Sequence, residues 1–372
     1  MKFLVVTHVV HKKHQGRLYA YGPYIKEMNL WLKHTDDFIL VAPVTETQPS
    51  PIDLPYDKMP EILKVPRFSL ITPKEILKTS VRLPYIIHKI VRGMRKADHI
   101  HLRLPGNMGL LGSIVQIFFP AKPKTVKYAG NWDPESTQPW SYKLQQRIVA
   151  SPRLTKNAKV LAYGKWDNQP VHVLSFFTAS YSENEIYEIP DKTLQEPVRL
   201  LFVGTLLEGK RPLLAAQTVK KLKERGIQAR LEYYGDGPER KNIESFIERN
   251  SLGEYIKLLG KRPAEEVKKA YQNAHFLIFP SRSEGWPKVV AEAMVWKCLP
   301  VTTRISAVPY MLDEGRRGSL VNPDPDEIAD EIAYHLQNPE IYQEKNRNAH
   351  RWSREFTLEK FEEEIAKLLM ES

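Results

Sequence analysis

At 372 residues the chain is too long for one ordinary core and reads as two domains. Its one cysteine, Cys298, excludes an intramolecular disulfide and a cysteine-based metal site, and fits a reducing compartment. The net charge of +11 is uneven: residues 1–180 carry 26 Lys and Arg against 12 Asp and Glu, and residues 181–372 carry 29 against 32.

A basic first half implies an anionic partner: an acidic membrane surface, a phosphorylated acceptor or nucleic acid, unless the charge is merely solvated. Nucleic acid is disfavoured, because no aromatic stacking platform is interleaved with the basic residues. Met1–Val10 and Leu110–Phe119 are apolar but too short to span a bilayer, so a cytoplasmic protein is expected.

The apolar run Lys2–Thr7 suits a buried parallel strand. A helix follows near Tyr24–Lys33, then strands at Phe38–Ala42 and Ile62–Val65. Thr79–Lys96 mixes Arg82, Lys89, Arg92, Arg95 and Lys96 with apolar residues. It reads either as a core helix with a basic outer face or as a membrane-surface helix. Ile100–Leu102, Thr125–Ala129 and Lys159–Ala162 are further strands, and Asn107–Phe119 is a helix. Around Glu183–Pro197 the pattern loosens into a linker. A second strand–helix series then runs from Val198 to Thr302, and the chain ends in helices.

The expected fold class is α/β, with two Rossmann-like, doubly wound parallel sheets facing a cleft. The expected divisions are 1–182, a linker at 183–197, 198–352, and a final segment 353–372 that packs back on the first domain. Open parallel sheets bind ligands at the carboxyl ends of their strands, and the unusual motifs fall there. Gly204-Thr-Leu-Leu-Glu-Gly-Lys210-Arg211-Pro212 joins a strand to a helix. Its glycines free the loop, and its two cations beside a helix N-terminus suit a diphosphate, although an ordinary surface loop would look the same. It is not a Walker P-loop, and neither half opens with Gly-x-Gly-x-x-Gly, which disfavours a dinucleotide-dependent oxidoreductase.

Further on, Ser281-Arg-Ser-Glu284-Gly285-Trp286-Pro287-Lys288-Val289-Val-Ala-Glu292 follows an apolar strand. The N–H groups of Lys288 and Val289 would open a helix unpaired. Glu292 would be buried in its second turn and need partners, which ribose hydroxyls or Lys288 would supply. In the first half, His8, His11, Lys12, Lys13, His14, Gly16 and Arg17 form an expected loop after the first strand. Arg103, Asn107, Asn131 and Asp133 follow later strands. Asp133 is either an acceptor-orienting carboxylate or a turn former before Pro134.

Glu284 and Glu292, with seven residues between them, resemble the Glu-x7-Glu signature of glycosyltransferase family 4. Phe202-Val-Gly204 with Lys210, Tyr234-Gly-Asp-Gly-Pro238, Leu259–Pro263 and Ala274–Ser281 continue the likeness over Val198–Asp313. The resemblance implies the GT-B fold and a retaining, metal-independent transfer from a UDP- or GDP-sugar to an acceptor hydroxyl, without a cofactor. It implies Lys210 on the diphosphate, Glu292 on the ribose, Glu284 on the transferred sugar, the backbone after Glu284 on phosphate or sugar, and Lys261 and Arg262 beside the base. Catalytic roles are expected for Glu284, Lys210 and Asp133. The donor site is expected to include Gly204, Thr205, Arg211, Gly285, Trp286, Pro287, Lys288 and Val289. Gly16, Arg17, Arg103, Asn107, Asn131 and Asp133 are expected near the acceptor, a glycan, glycolipid or lipid phosphate, with peripheral attachment to an anionic membrane. Thr205 stands where the family has Arg, and Lys297 where it has Gly. These departures leave open a non-catalytic sugar-nucleotide-binding subunit, and an epimerase on the same architecture is the other alternative.

Overall fold

The computed structural model describes residues 1–68 and 73–370. The chain divides into two compact units: Met1–Phe176 with Phe361–Ser372, and Phe177–Lys360.

The first unit contains β1 (Lys2–Val6), β2 (His11–His14), β3 (Arg17–Tyr21), α1 (Gly22–Lys33), β4 (Asp37–Thr45), β5 (Asp53–Pro55) and β6 (Glu61–Val65). It continues with α2 (Pro73–Lys96), β7 (His99–Leu104), α3 (Asn107–Val115), β8 (Lys124–Tyr128), α4 (Trp140–Ala150), β9 (Ala158–Tyr163) and β10 (Val173–Phe176). Strands β6-β4-β1-β7-β8-β9-β10 run parallel in that order. The winding reverses between β1 and β7, which makes the carboxyl edge there the place for a ligand.

The expected loop after β1 is instead partly a hairpin. Lys13 pairs with Leu18 and His14 with Arg17, across Gln15 and Gly16, both at positive φ. Two such central residues make the tight turn favoured between twisted antiparallel strands. The His-Lys-Lys-His strand lacks apolar alternation, so periodicity does not disclose it.

Strand β7 alternates chemistry with the pleat. Ile100, Leu102 and Leu104 join the core cluster that holds α2 and α3 residues. His99 and His101 are also buried, and their rings flank Phe3 at 5.2 and 5.4 Å between centroids. Thr125 Oγ1 lies 3.0 Å from His99 Nε2 and 2.9 Å from His101 Nδ1. Burial lowers the pKa of His99 to about 4, that of His11 to about 4, and that of His101 well below its ordinary value. Between about pH 6.5 and 4 the unfolded chain therefore binds more protons at these positions than the folded chain, so stability falls as pH falls. The loss is on the order of 3 kcal/mol for each of His11 and His99 by pH 4. Urea midpoints at pH 7 and pH 4.5 measure this; equal midpoints would contradict it.

Helix α2 buries Ile86, Ile90 and Met94 and exposes Arg82, Arg92, Arg95 and Lys96. A Cβ at Gly93 would lie 2.9 Å from Leu4 Cδ1, so glycine allows close packing on the sheet. The helix is thus a core element with a basic outer face, and Lys96 Nζ pairs with Glu61 at 2.6 Å.

The last helix, α12 below (Leu358–Met370), has Phe361, Ile365 and Leu368 buried. Phe361 meets Phe176 edge-on at 5.4 Å and lies under the ammonium of buried Lys127, while Glu362 pairs with Lys33 at 2.7 Å.

The second unit contains β11 (Val198–Val203), α5 (Pro212–Glu224), β12 (Ala229–Tyr234), α6 (Arg240–Arg249), β13 (Ile256–Leu258), α7 (Ala264–Asn273) and β14 (Phe276–Phe279). It continues with α8 (Lys288–Val295), β15 (Leu299–Thr303), α9 (Val308–Met311), β16 (Ser319–Val321), α10 (Pro325–Gln337) and α11 (Pro339–Ser353), before α12 (Leu358–Met370) begins. Its parallel sheet has the order β13-β12-β11-β14-β15-β16, with the reversal between β11 and β14. The segment 183–197, expected as a linker, is fastened to this unit: Lys192 Nζ donates to Tyr271 O at 2.7 Å and Ala274 O at 2.6 Å.

Candidate active site

Two loops leave the carboxyl ends of β11 and β14, the adjacent strands of the second switch point, and they are joined along their length. Arg282 N donates to Gly209 O at 2.8 Å, and Arg211 Nη1 donates to Pro280 O at 3.2 Å. Lys210 Nζ donates to Glu284 Oε1 at 2.7 Å, and Ser281 Oγ donates to the same oxygen at 2.8 Å. The Lys210 and Glu284 side chains are 25% and 18% exposed, so both charges are shielded from bulk water yet reachable. A cation and a carboxylate 74 residues apart in sequence are thereby brought to one point.

Glycine supplies the backbone conformation beside this contact. Gly204 has φ +142, and a Cβ there would lie 3.5 Å from Lys210 Cδ. Behind it, Gly235 N donates to Gly260 O at 2.9 Å and Gly204 N to Tyr234 O at 2.9 Å. The loops after β11, β12 and β13 therefore stack on one another, which explains why Gly235 and Gly260 recur in the sequence likeness.

Helix α8 starts at Lys288, with Pro287 as its N-cap and no side-chain cap on its first N–H groups. Such a terminus is suited to phosphate oxygen. Glu292 is half-buried rather than buried. Its Oε1 accepts from Ser180 Oγ at 2.6 Å and its Oε2 from Tyr271 OH at 3.1 Å. Lys288 Nζ donates to Ala179 O at 3.4 Å. Each carboxylate oxygen can accept a second hydrogen bond, so Glu292 is oriented without being saturated. Sequence reasoning did not reveal Ser180 or Tyr271, since nothing local marks a serine or tyrosine that meets a distant carboxylate.

Other expected donor residues behave differently. Trp286 is buried in an aromatic cluster, 5.5 Å from Phe356 and 6.2 Å from Trp352. Arg211 is spent stapling the two loops, and desolvation first, with Arg282 beside it, lowers its pKa. Thr205, Lys261 and Arg262 are exposed, Gly285 and Val289 half-buried and Pro287 buried. Lys297 occupies the left-handed turn after α8 at φ +50, where a side chain costs about 1 kcal/mol. Its buried ammonium meets Asp191 at 2.7 Å and Ile189 O at 2.6 Å, which offsets that strain.

In the first unit the switch point opens on a cavity of about 620 Å³, lined among others by His8, Arg67, Phe68, Asn107, Trp140 and Tyr142. Of the expected acceptor residues only Asn107 lines it. Gly16 and Arg17 are at the exposed hairpin tip. Arg103 forms an ion pair with Glu27 and lies over the Tyr24 ring. Asn131 Oδ1 accepts from Asp133 N at 2.9 Å, and Asp133 Oδ1 accepts from Glu135 N at 2.9 Å, which is the turn-forming role. His8 was read only as part of a basic cluster. Desolvation, then the neighbouring Arg103, lowers its pKa and favours the neutral ring.

Comparison with known proteins decides the family of the second unit. Residues 186–352 match the family described as glycosyl transferases group 1. Residues 186–352 form a group 1 glycosyltransferase domain. The glycosyltransferase domain contains the stapled loops, α8 and both glutamates. An uncharacterised glycosyltransferase of Methanocaldococcus jannaschii is 29% identical over 161 residues, 43% of this chain and 44% of that one. A putative colanic acid biosynthesis glycosyltransferase of Escherichia coli K12 is 29% identical over 138 residues, 36% of this chain and 34% of that one. The chain thus spans less than half the length of these relatives. Alpha-monoglucosyldiacylglycerol synthase of Acholeplasma laidlawii is 22% identical over 346 residues, covering 81% and 82%. Among solved structures, HepE of Anabaena in complex with UDP and glucose superposes with a TM-score of 0.69 at 14% identity, covering 100% of both chains. Such matches show the fold, that of the GT-B glycosyltransferases.

Among the described residues no group of His, Cys, Asp and Glu is arranged to hold a metal ion, and no described helix is long and apolar enough to cross a membrane.

Proposed function

We propose that the protein transfers a sugar from a nucleoside diphosphate sugar to an acceptor hydroxyl, with retention of configuration, in the synthesis of a polysaccharide or glycolipid. The observation that carries this reading is the Lys210–Glu284 contact of 2.7 Å between the loops after β11 and β14, beside the uncapped start of α8. A diphosphate takes the ammonium of Lys210 and the first N–H groups of α8, and the transferred sugar's hydroxyls take the carboxylate of Glu284. Glu292, held by Ser180 and Tyr271, takes the ribose hydroxyls, and Lys261 and Arg262 flank the base. UDP is the favoured nucleotide, since the HepE structures hold UDP, UDP with glucose and UDP-glucose.

No side-chain nucleophile is assigned. Fixed positive charge stabilises the negative charge that builds on the diphosphate as its bond to the anomeric carbon breaks, and the leaving phosphate takes the proton of the acceptor hydroxyl that bonds to that carbon. The cavity at β1 and β7 is the proposed acceptor site, with flat aromatic faces at Phe68, Trp140 and Tyr142 for a sugar ring. The role earlier expected for Asp133 is not retained, because its carboxylate closes its own turn.

Single-turnover incubation with labelled UDP-glucose, UDP-N-acetylglucosamine and their GDP counterparts tests the proposal. Release of nucleotide, with transfer to an added glycan or glycolipid and an α-linked product from an α-linked donor, is expected. Turnover in EDTA should equal turnover without it, since Lys210 and backbone donors supply the countercharge. Binding of nucleotide without any turnover would favour the non-catalytic subunit, and loss of activity in EDTA restored by manganese would overturn the metal-independent mechanism.

The same reading places the protein at an anionic cytoplasmic leaflet. Arg82, Arg92 and Arg95 on the outer face of α2, each worth about 1 kcal/mol near such a surface, would attach it reversibly. Sedimentation with vesicles containing phosphatidylglycerol should exceed that with neutral vesicles, and reversing these three charges should abolish the difference. Equal sedimentation at low salt would leave the face solvated.

A further inference from the structure

The glycosyltransferase domain has a basic cavity at the other end of α8 from the donor loops. It measures about 590 Å³ and is lined by Glu188, Asp191, Lys297, Arg347, His350, Arg351 and Arg354. Helix α11 supplies three of these, and Arg354 follows its last residue. Positions 347, 351 and 354 share one helical face, so three guanidinium groups are presented together.

The two acids present are already engaged. Asp191 holds Lys297 Nζ at 2.7 Å, and Glu188 meets Lys297 at 3.6 Å, His350 Nε2 at 3.3 Å and Arg354. His350 Nδ1 lies 2.8 Å from Val295 O, the last residue of α8, so the wall of the cavity is tied to that helix. Arg347 and Arg351 are exposed, and among the described residues neither has an ion-pair partner. Leaving His350 aside, the lining carries four cations against two anions. Two forked guanidinium groups free of carboxylates, above a buried ammonium, match the oxygens of a phosphate group.

We propose that this cavity is a phosphate-binding site, separate from the donor site, which takes a soluble phosphorylated ligand or a phosphomonoester lipid headgroup through Arg347 and Arg351. It does not depend on the reaction proposed above. The probe is inorganic pyrophosphate, titrated calorimetrically into protein saturated with UDP, in 150 mM sodium chloride to suppress unspecific ion pairing. A saturable site is expected, weakened at least tenfold in Arg347→Gln/Arg351→Gln, while UDP affinity stays unchanged. Both positions are exposed, so the variant should keep its fold, which thermal unfolding verifies. A second arm measures binding to vesicles containing phosphatidic acid. A loss of vesicle binding in the double variant assigns the site to a lipid headgroup, and pyrophosphate binding without it assigns the site to a soluble ligand. Absence of pyrophosphate binding in the UDP-saturated protein, or equal affinity in the double variant, would overturn the proposal. Failure of UDP to bind at all would count against the donor site alone, and the same titration without UDP would still test this one.

Discussion

Replacing Lys210 by alanine is expected to lower turnover of the nucleotide sugar by about 10²–10³-fold, the range seen when one fixed donor to developing negative charge is removed. UDP binding should weaken by about tenfold or more, because a charge-assisted hydrogen bond to phosphate is lost. The reason is positional: Lys210 has its stem against Gly204 and its ammonium 2.7 Å from Glu284. Glu284→Gln separates the two roles. It keeps a hydrogen-bonding group beside Ser281 but removes the charge, so UDP affinity should hold while turnover falls. Calorimetric titration with UDP, paired with single-turnover rates, reads both. Unchanged UDP affinity in Lys210→Ala would remove this lysine from the diphosphate, and loss of UDP affinity in Glu284→Gln would remove the glutamate from the sugar.

The largest stability effect is expected at Gly235. Its φ is +150, and an added Cβ would lie 1.8 Å from Gly204 O and 2.8 Å from Gly204 C. These are backbone atoms at the root of the loop that carries Lys210, so no side chain can rotate away. Alanine there combines backbone strain with a collision, and a loss above about 4 kcal/mol is expected. The loops after β11 and β12 would be forced apart, and soluble protein should have a lowered thermal midpoint and no UDP-induced stabilisation. Gly226→Ala is the control. It too has positive φ, at +78, but its Cβ would meet nothing within 4 Å, so it should bear the backbone strain alone. Similar midpoints for the two variants would show that the close approach to Gly204 is unimportant.

Much of the second unit was legible because its strands are apolar runs buried on both faces and its loops carry glycines and charges at fixed spacing. Phe276–Phe279 and Leu299–Thr303 are buried throughout, the pattern of central parallel strands. The first unit was harder to read. The hairpin His11–Tyr21 has polar strands, and helix α4 begins at Trp140 after a stretch of prolines, serines and turns that reads as loop. Several expected site residues have partners of their own within the fold. Arg103 has the chemistry of an anion binder, but Glu27, 76 residues away, occupies it. Asp133 has the chemistry of a base, but its own turn uses the carboxylate. Trp286 stands within the recognised motif, yet its ring completes an aromatic cluster with Trp352 and Phe356. Spacing locates a motif but does not say which of its side chains turn inward.

The burial of Phe361, Ile365 and Leu368, with Phe361 against Phe176 and Lys127, has a consequence for biogenesis. During translation Met1–Phe176 leaves the ribosome first, and the intervening 184 residues, Phe177–Lys360, emerge before the piece that covers its apolar edge. The portion made earliest is therefore the last to be completed, and the glycosyltransferase domain has all its own strands and helices available beforehand. A nascent chain stalled before Phe361 would have a finished second unit and a first unit still exposing Phe176, a natural substrate for a holdase chaperone.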